Sequence, residues 1–386
     1  MDTRELSVEL EAVTPLFLGG AEQQPEARAA SFRGALRFWW RALAAETDLK
    51  RLHEREARIF GDTKHASNVR VDVEILGQPR TQTWDETDGA NARRWPGLAY
   101  LGFPFRDNSR RSFTAGTRLR LTLRLRRGAG DEVLPQTCAA LWLLLSLGGL
   151  GLRARRGFGN LTALNAPKLD GVPQLTVPAK AAEDVRMYLQ QGLTDVRALE
   201  PLLPRTSTTA RSIAYSVVRR GVTKVVVLDH LWQTWQAALE EVGERMAIFR
   251  KPLYPRMSDL QNGDAPGSAP ERAAFGLPIP YFDKDVLQPG ATSNEEAPDR
   301  RASPLLVSLI RVPAGQYAVV LTVFGSQTFL PMAADGTHPP LRTTKSGRTF
   351  PGRVTEQPLA RFLTAWQTQP EKSSLSPRRL LGVDVP

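Results

Sequence analysis

Several residue types are scarce in this sequence, and each scarcity narrows what the chain can be. There is a single cysteine, Cys138, among 386 residues, which excludes a disulfide framework and a cysteine-rich zinc site. Such a chain belongs in a reducing compartment, and the cytoplasm is the expected location. The four histidines, His53, His65, His230 and His338, are scattered, with no two at metal-ligand spacing, so neither a metal centre nor a cofactor is expected. Long hydrophobic runs are missing. The longest, from Cys138 to Leu147, is too short to span a bilayer and runs into Gly148 and Gly149, so it reads as a buried helix. The opening residues MDTRELSVELEAV have no basic stretch leading into an apolar one, so no secretory signal and no membrane partner are expected. A G-x4-G-K-[ST] phosphate loop is also lacking.

What the sequence has in excess is positive charge. Fifty-one Lys and Arg face 40 Asp and Glu, for a formal charge of +11. A basic excess of this size favours a polyanionic partner, nucleic acid above all, although it also serves solubility. Most of the basic residues are arginine, whose guanidinium grips phosphate through two donors at once. The length allows two to three domains of ordinary size.

Residues 5–13 alternate, with Leu6, Val8, Leu10 and Ala12 on one side, as in a half-buried strand. After a loop with Gly19 and Gly20, Ser31 stands where a helix N-cap belongs, and Phe32, Leu36, Trp39, Trp40 and Leu43 follow at helical spacing. That spacing makes the two tryptophans core residues before base-stacking ones. A short helix near 53–60 and a strand at 69–75 come next. In RLRLTLRLR at 118–126 four leucines face one way, and arginines with Thr122 face the other, leaving a basic strip open to RNA, solvent or a neighbouring protein. A helix containing Pro135 runs to Leu147, and Phe158 to Leu164 closes the unit as a strand. The order strand, helix, strand, strand, helix, strand is that of a ferredoxin-like, RRM-like α+β unit.

The same order can be read again downstream: a strand at 212–218, a helix from Asp229 to about Phe249, strands at 305–312 and 317–324, a helix near 356–367 and a strand at 380–385. Two tandem ferredoxin-like domains are therefore expected, at 1–165 and 183–386. A proline-containing linker at 166–182 joins them, and the second carries a long insertion at 252–304 with a mobile stretch expected at 262–269.

The sharpest motif is GLGLRARRGFGNL at 149–161. Gly149, Gly151, Gly157 and Gly159 permit positive φ and close backbone approach, with Arg153, Arg155 and Arg156 in the bend. Such a loop can lay a phosphate chain against amide groups, or it can simply be a turn whose packing needs the space. Arg33, Arg37 and Arg41 recur every fourth residue and form a second stripe on the first helix, suited to phosphates or to a solvated face. At that helix start, Ser31 and the amides of Arg33 and Gly34 form a candidate phosphate seat.

The four-glycine loop closing a ferredoxin-like unit resembles that of the RAMP superfamily of CRISPR RNA-binding proteins. TPLFLGG at 14–20, SFRGALRFWWRAL at 31–43, IFGD at 59–62, AFGLPIP at 274–280 and RRASPLLVSLIRV at 300–312 are similar to the large two-unit RAMP subunits of type III-B (Cmr) effector complexes. The resemblance implies a subunit at the head of the complex near the 3′ end of the guide RNA. Its partners would be guide and target RNA together with the other subunits, and Gly19 and Gly20 would join the candidate contacts. It also raises a ribonuclease alternative. RAMP nucleases that mature guide RNA rely on a histidine, for which His65 is the one candidate. The target-cleaving subunits use an aspartate in the loop after the first strand, whereas 14–30 here carries Glu22 and Glu26 but no Asp. A non-catalytic RNA-binding subunit is the expectation.

Overall fold

The computed structural model describes residues 4–20, 22, 24–108, 110–167, 171–199, 215–253, 270–280, 285–290, 300–325, 339–350, 354–371 and 373–385. In chain order the first half contains β1 (Glu5–Ala12), α1 (Ala29–Ala44), α2 (Leu49–Phe60), β2 (Val69–Leu76), β3 (Thr81–Thr83), α3 (Pro96–Leu101), β4 (Arg111–Phe113), β5 (Arg118–Leu125), α4 (Val133–Leu147) and β6 (Leu161–Asn165). The second half contains α5 (Ala182–Ala198), β7 (Thr223–Trp232), α6 (Trp235–Arg250), β8 (Ile279–Pro280), β9 (Val286–Pro289), β10 (Leu305–Arg311), β11 (Tyr317–Phe324), β12 (Leu341–Thr343), β13 (Thr349–Phe350), α7 (Gln357–Thr364) and β14 (Leu380–Val383).

Two four-stranded antiparallel sheets, ordered β2-β5-β1-β6 and β10-β11-β7-β14, give the α+β fold its two ferredoxin-like units, each with its first and third strands in the middle. A third small sheet, ordered β13-β12-β9-β8, is built from the insertion and the segment after β11. The alternation of β1 and β5 puts Leu6, Val8, Leu10, Leu119, Leu121 and Leu123 on the buried face of the first sheet. On its other face cross-strand carboxylates meet the arginines: Arg118 pairs with Glu11, Arg120 with Glu9 and Glu74, and Arg124 with Glu5. The strip that looked basic in sequence is thus a charge-balanced ladder, because its partners lie on β1 and β2.

The second sheet is apolar on both faces, and β10 and β11 are buried along almost their whole length. α4 lies between the sheets and packs on strands of both, so all but one residue from Val133 to Leu147 is buried. Ser308 of β10 donates to the carbonyl of Ser146 at its end, 3.3 Å away. A second junction joins α3 to α6. A Cβ on Gly243 would stand 1.9 Å from the carbonyl oxygen of Gly97, so only glycine lets these backbones touch.

Four sequence expectations are corrected. The first helix begins at Ala29 with extended Arg28 as N-cap, and Ser31 is its third residue, because the two alanines ahead of Ser31 extend the helix backwards. In the second unit the first strand is not at 212–218. Residues 215–218 are irregular, 212–214 lie outside the described residues, and the β-branched run around Val225 to Val227 forms β7 instead. This strand continues through Asp229 and His230 to Trp232, so the long helix starts at Trp235, where Thr234 accepts the Ala237 amide at 3.2 Å. The strand expected from Phe158 starts at Leu161, after the positive φ of Gly157 and Gly159. The stretch 262–269 lies outside the described residues.

Candidate nucleic-acid interface

α1 and the glycine-rich loop face each other across a cleft of about 360 Å³. Ser31, Ala35, Phe38 and Trp39 line it from the helix, Gly149, Gly151, Ala154 and Arg155 from the loop, and Leu18 and Leu306 are among the residues around them. The local sequence explains the loop. Gly151 has φ +89, and a Cβ there would sit 2.4 Å from the Phe17 carbonyl oxygen. Gly159 has φ +70, and a Cβ would come within 1.9 Å of the Leu150 carbonyl oxygen. The loop is pinned by Leu152 N–H to Phe17 O at 3.0 Å and by Leu150 N–H to Gly159 O at 2.8 Å. Gly157, also at positive φ, leaves room for Leu239 of α6, and a Cβ on Gly149 would meet the Phe158 carbonyl. All four glycines are therefore demanded by packing, and Gly149 and Gly151 at the same time leave backbone open along the cleft.

Asn160, inside the motif directly after its fourth glycine and fully buried, joins the two units. Its Oδ1 accepts the amide of Leu309 in β10 at 3.1 Å, and its Nδ2 donates to Gly148 O. A lone asparagine beside four glycines gave no signal in the sequence, since its partner is 149 residues away.

The loop arginines turn mostly inward, which corrects the picture of three cations facing a phosphate chain. Arg153, itself at φ +61, donates from Nε to the Leu101 carbonyl at 2.8 Å. Arg156 is 8% exposed and reaches Phe275 O at 3.3 Å, with Nη1 lacking a hydrogen-bond partner among the described residues. Burial and the neighbouring Arg250 and Arg153 push its pKa down to about 9. Arg155 alone of the three lines the cleft, its guanidinium 5.2 Å from the centre of the Phe38 ring and Nη1 on Ser303 O at 2.6 Å.

The stripe on α1 also has local partners. Buried Glu56 of α2 takes Arg37 Nε at 2.7 Å and Arg41 Nη1 at 3.2 Å, and Arg37 bonds the Gly61 carbonyl as well. At ~100° per residue the stripe sits about 130° around the helix from the cleft-lining face, so Arg33, Arg37 and Arg41 do not share the cleft with Ser31. Arg33 is half-buried, and its Nε has no hydrogen-bond partner among the described residues. The proposed amide seat is corrected too, since Arg33 and Gly34 fall inside the helix, where their N–H groups are taken by carbonyls four residues back. Gly34 is exposed with open space over its Cα. Gly19 and Gly20 form the neighbouring turn: Gly20 N–H bonds Gln24 O at 2.9 Å, and Arg28 holds Gly19 O at 2.9 Å. Trp39 and Trp40 are core residues, Trp40 donating to Gln136 at 3.0 Å.

His65 is exposed and rests against Asp62 at 3.0 Å. The Lys64 amide and His65 hold the Asp62 carboxyl down at about 2, which makes this a turn closed by a carboxylate. Among the described residues there is no group of three His, Cys, Asp or Glu side chains that could hold a metal ion.

The family described as the RAMP superfamily matches residues 9–162. The chain is 28% identical over 341 residues to CRISPR system Cmr subunit Cmr1-1 of Pyrococcus furiosus, covering 86% of this chain and 90% of that one. It is 30% identical over 178 residues to subunit Cmr1-2 of the same organism, covering 41% and 94%. Among solved structures, the apo crystal structure of Cmr1 from Pyrococcus furiosus superposes with a TM-score of 0.63 at 18% identity, covering 94% of this chain and 96% of that one. A chain of the type III-B Cmr-beta complex bound to cognate target RNA superposes at 0.54 and 12% identity, covering 93% and 98%.

Proposed function

The chain belongs to the Cmr1 family of the RAMP superfamily, and from that premise we propose that it is a non-catalytic, RNA-holding subunit of a type III-B CRISPR (Cmr) ribonucleoprotein. In this reading it sits at the head of the complex near the 3′ end of the guide RNA and helps to hold guide and target RNA, with the other Cmr subunits as its protein partners. The solved relative with cognate target RNA supports an RNA ligand. No helix among the described residues is long and apolar enough to cross a membrane, and the reading places the complex in the cytoplasm.

The observation that carries the proposal is the cleft between α1 and the glycine-rich loop. It offers an apolar wall at Phe38 and Leu18, an exposed backbone at Gly149 and Gly151, a hydroxyl at Ser31 and one guanidinium, Arg155. An unpaired nucleotide needs those features: a surface for the base, donors for a phosphate and room for the sugar. Gly19, Gly20 and Gly34 flank this path as outer contacts, Arg33 meets the RNA backbone beyond the cleft on the far side of the helix, and Arg37 and Arg41 support the helix through Glu56. Phosphate contacts of this kind position RNA without reading its sequence.

The test is RNA binding by the full chain across a salt series. Ala35→Glu, which places a carboxylate in the cleft, is expected to weaken binding to single-stranded RNA of every sequence alike. Unchanged affinity would remove the cleft from the proposal. Incubation with labelled guide precursor and target RNA tests the absence of catalysis, and specific cleavage abolished by His65→Ala would replace the proposal with a ribonuclease.

A further inference from the structure

Phe38 is the wall of two cavities. On one side lies the cleft just described. On the other is a second cavity of about 370 Å³, lined by Phe38 and Arg41 of α1, by Leu49, Leu52, His53 and the ion-paired Glu56 of α2, and by Tyr215 with Ser216 from the segment ahead of β7. We infer that this second cavity is a nucleobase site, which receives the unpaired RNA base next to the one held in the first cleft, with Phe38 and the Arg155 guanidinium over its ring between the two bases. The inference rests on the RNA-holding function proposed above and deepens it.

Four features support the assignment. The cavity has the size of a small-molecule site and mixes an apolar lining with a few polar groups, as ligand sites do. Its aromatic residues, Phe38 and Tyr215, offer flat faces of the kind on which bases stack without regard to sequence. Tyr215 is fixed in place because its hydroxyl donates to the Glu46 carbonyl at 2.8 Å. Arg41 lines the cavity with its side chain 42% exposed and gives one nitrogen to Glu56 at 3.2 Å, so a phosphate joining the two bases meets the remaining guanidinium donors there. Finally, Leu49 is 63% exposed at the mouth, an apolar residue in water at the first position of a helix, which a base edge would cover. The second site also explains why Phe38 stays half-buried while Trp39 and Trp40 beside it are fully packed.

The test uses the full chain and a single-stranded RNA oligonucleotide carrying one fluorescent 2-aminopurine, moved through the sequence, with a matching set in which one base is replaced by an abasic site. Two adjacent positions are expected to show quenched fluorescence and to lose roughly five-fold or more in affinity when abasic, the worth of one stacked base. Leu49→Glu sets a carboxylate at the mouth and leaves the fold intact, because an acid in the first turn suits the helix dipole. It is expected to weaken binding and to abolish the abasic penalty at one of the two positions only. Ala35→Glu should abolish it at the other. If Ala35→Glu weakens RNA binding while Leu49→Glu does not, the second site is wrong and the first cleft stands. If neither substitution matters, the RNA-holding cleft itself is wrong. If Leu49→Glu impairs only assembly with other subunits, the cavity is a protein-docking site and the inference fails.

Discussion

Asn160 Oδ1 accepts the backbone amide of Leu309 at 3.1 Å in a fully buried setting, and so fastens the end of the glycine-rich loop to an edge strand of the other unit. Removing the amide leaves that N–H and the Gly148 carbonyl without this partner in a place water does not reach. Asn160→Ala is therefore expected to cost about 1–3 kcal/mol of stability or more. Equilibrium denaturation would read it, and a loss within a few tenths of a kcal/mol would mean that the junction does not depend on this side chain.

The arginines of α1 should separate in their salt dependence. Each phosphate contact with single-stranded RNA contributes about 0.7 to the slope of log affinity against log salt. Arg33→Ala should lower the slope by about that much, whereas Arg37→Ala should leave it unchanged and lower thermal stability instead, because Arg37 is engaged with Glu56. Equal slopes for the two variants would refute the division of labour.

Arg156 is a buried cation with no carboxylate partner among the described residues, held by the Phe275 carbonyl alone. Buried charges are commonly replaced by apolar residues of similar volume at no loss. Arg156→Met is expected to keep or raise the melting temperature and to leave the RNA salt slope as it is. A fall in slope would put this guanidinium on the RNA after all.

A pH effect is expected at the small third sheet. Asp285 accepts from Lys345 N at 2.8 Å and Ser346 Oγ at 2.6 Å. Burial by itself would raise the carboxyl, but these bonds outweigh it and hold the group at about 2, down from 3.8. A carboxylate depressed on folding stabilises above its ordinary value, and that contribution is lost as the pH falls from 3.8 towards 2. Amide exchange in β9 and β12 should show Asp285→Asn less protected at neutral pH, with the gap to the parent closing across that window. A gap that persists below it would exclude the clamp.

Most of the architecture was legible because period-two alternation marks strands with one wet face, as in β1, β2 and β5, and because glycines and prolines punctuate the helices. β7 escaped notice for the opposite reason. Its sheet is buried on both faces, so alternation is lost, and Asp229 mimics a helix start in the middle of a strand. The site was half legible. The glycine-rich loop and the first helix were each legible from residue types, but the direction of each arginine depends on groups distant in sequence: Glu56 for Arg37 and Arg41, and the Leu101 and Phe275 carbonyls for Arg153 and Arg156. Phe38 was hidden among the core aromatics of the same helix.

The position of α4 sets how this chain can come apart. A helix greasy on every side has no face to offer water, so a fragment ending in the connection at 166–182 would be left with the flank that β10 and β11 now cover. Such a fragment would aggregate or recruit a substitute for the missing sheet. The two halves are thus expected to unfold together around a shared axis, and the α4 amides should be among the slowest to exchange. The same coupling means that strain applied at either half is felt at the glycine-rich loop, which hangs directly from the end of that helix.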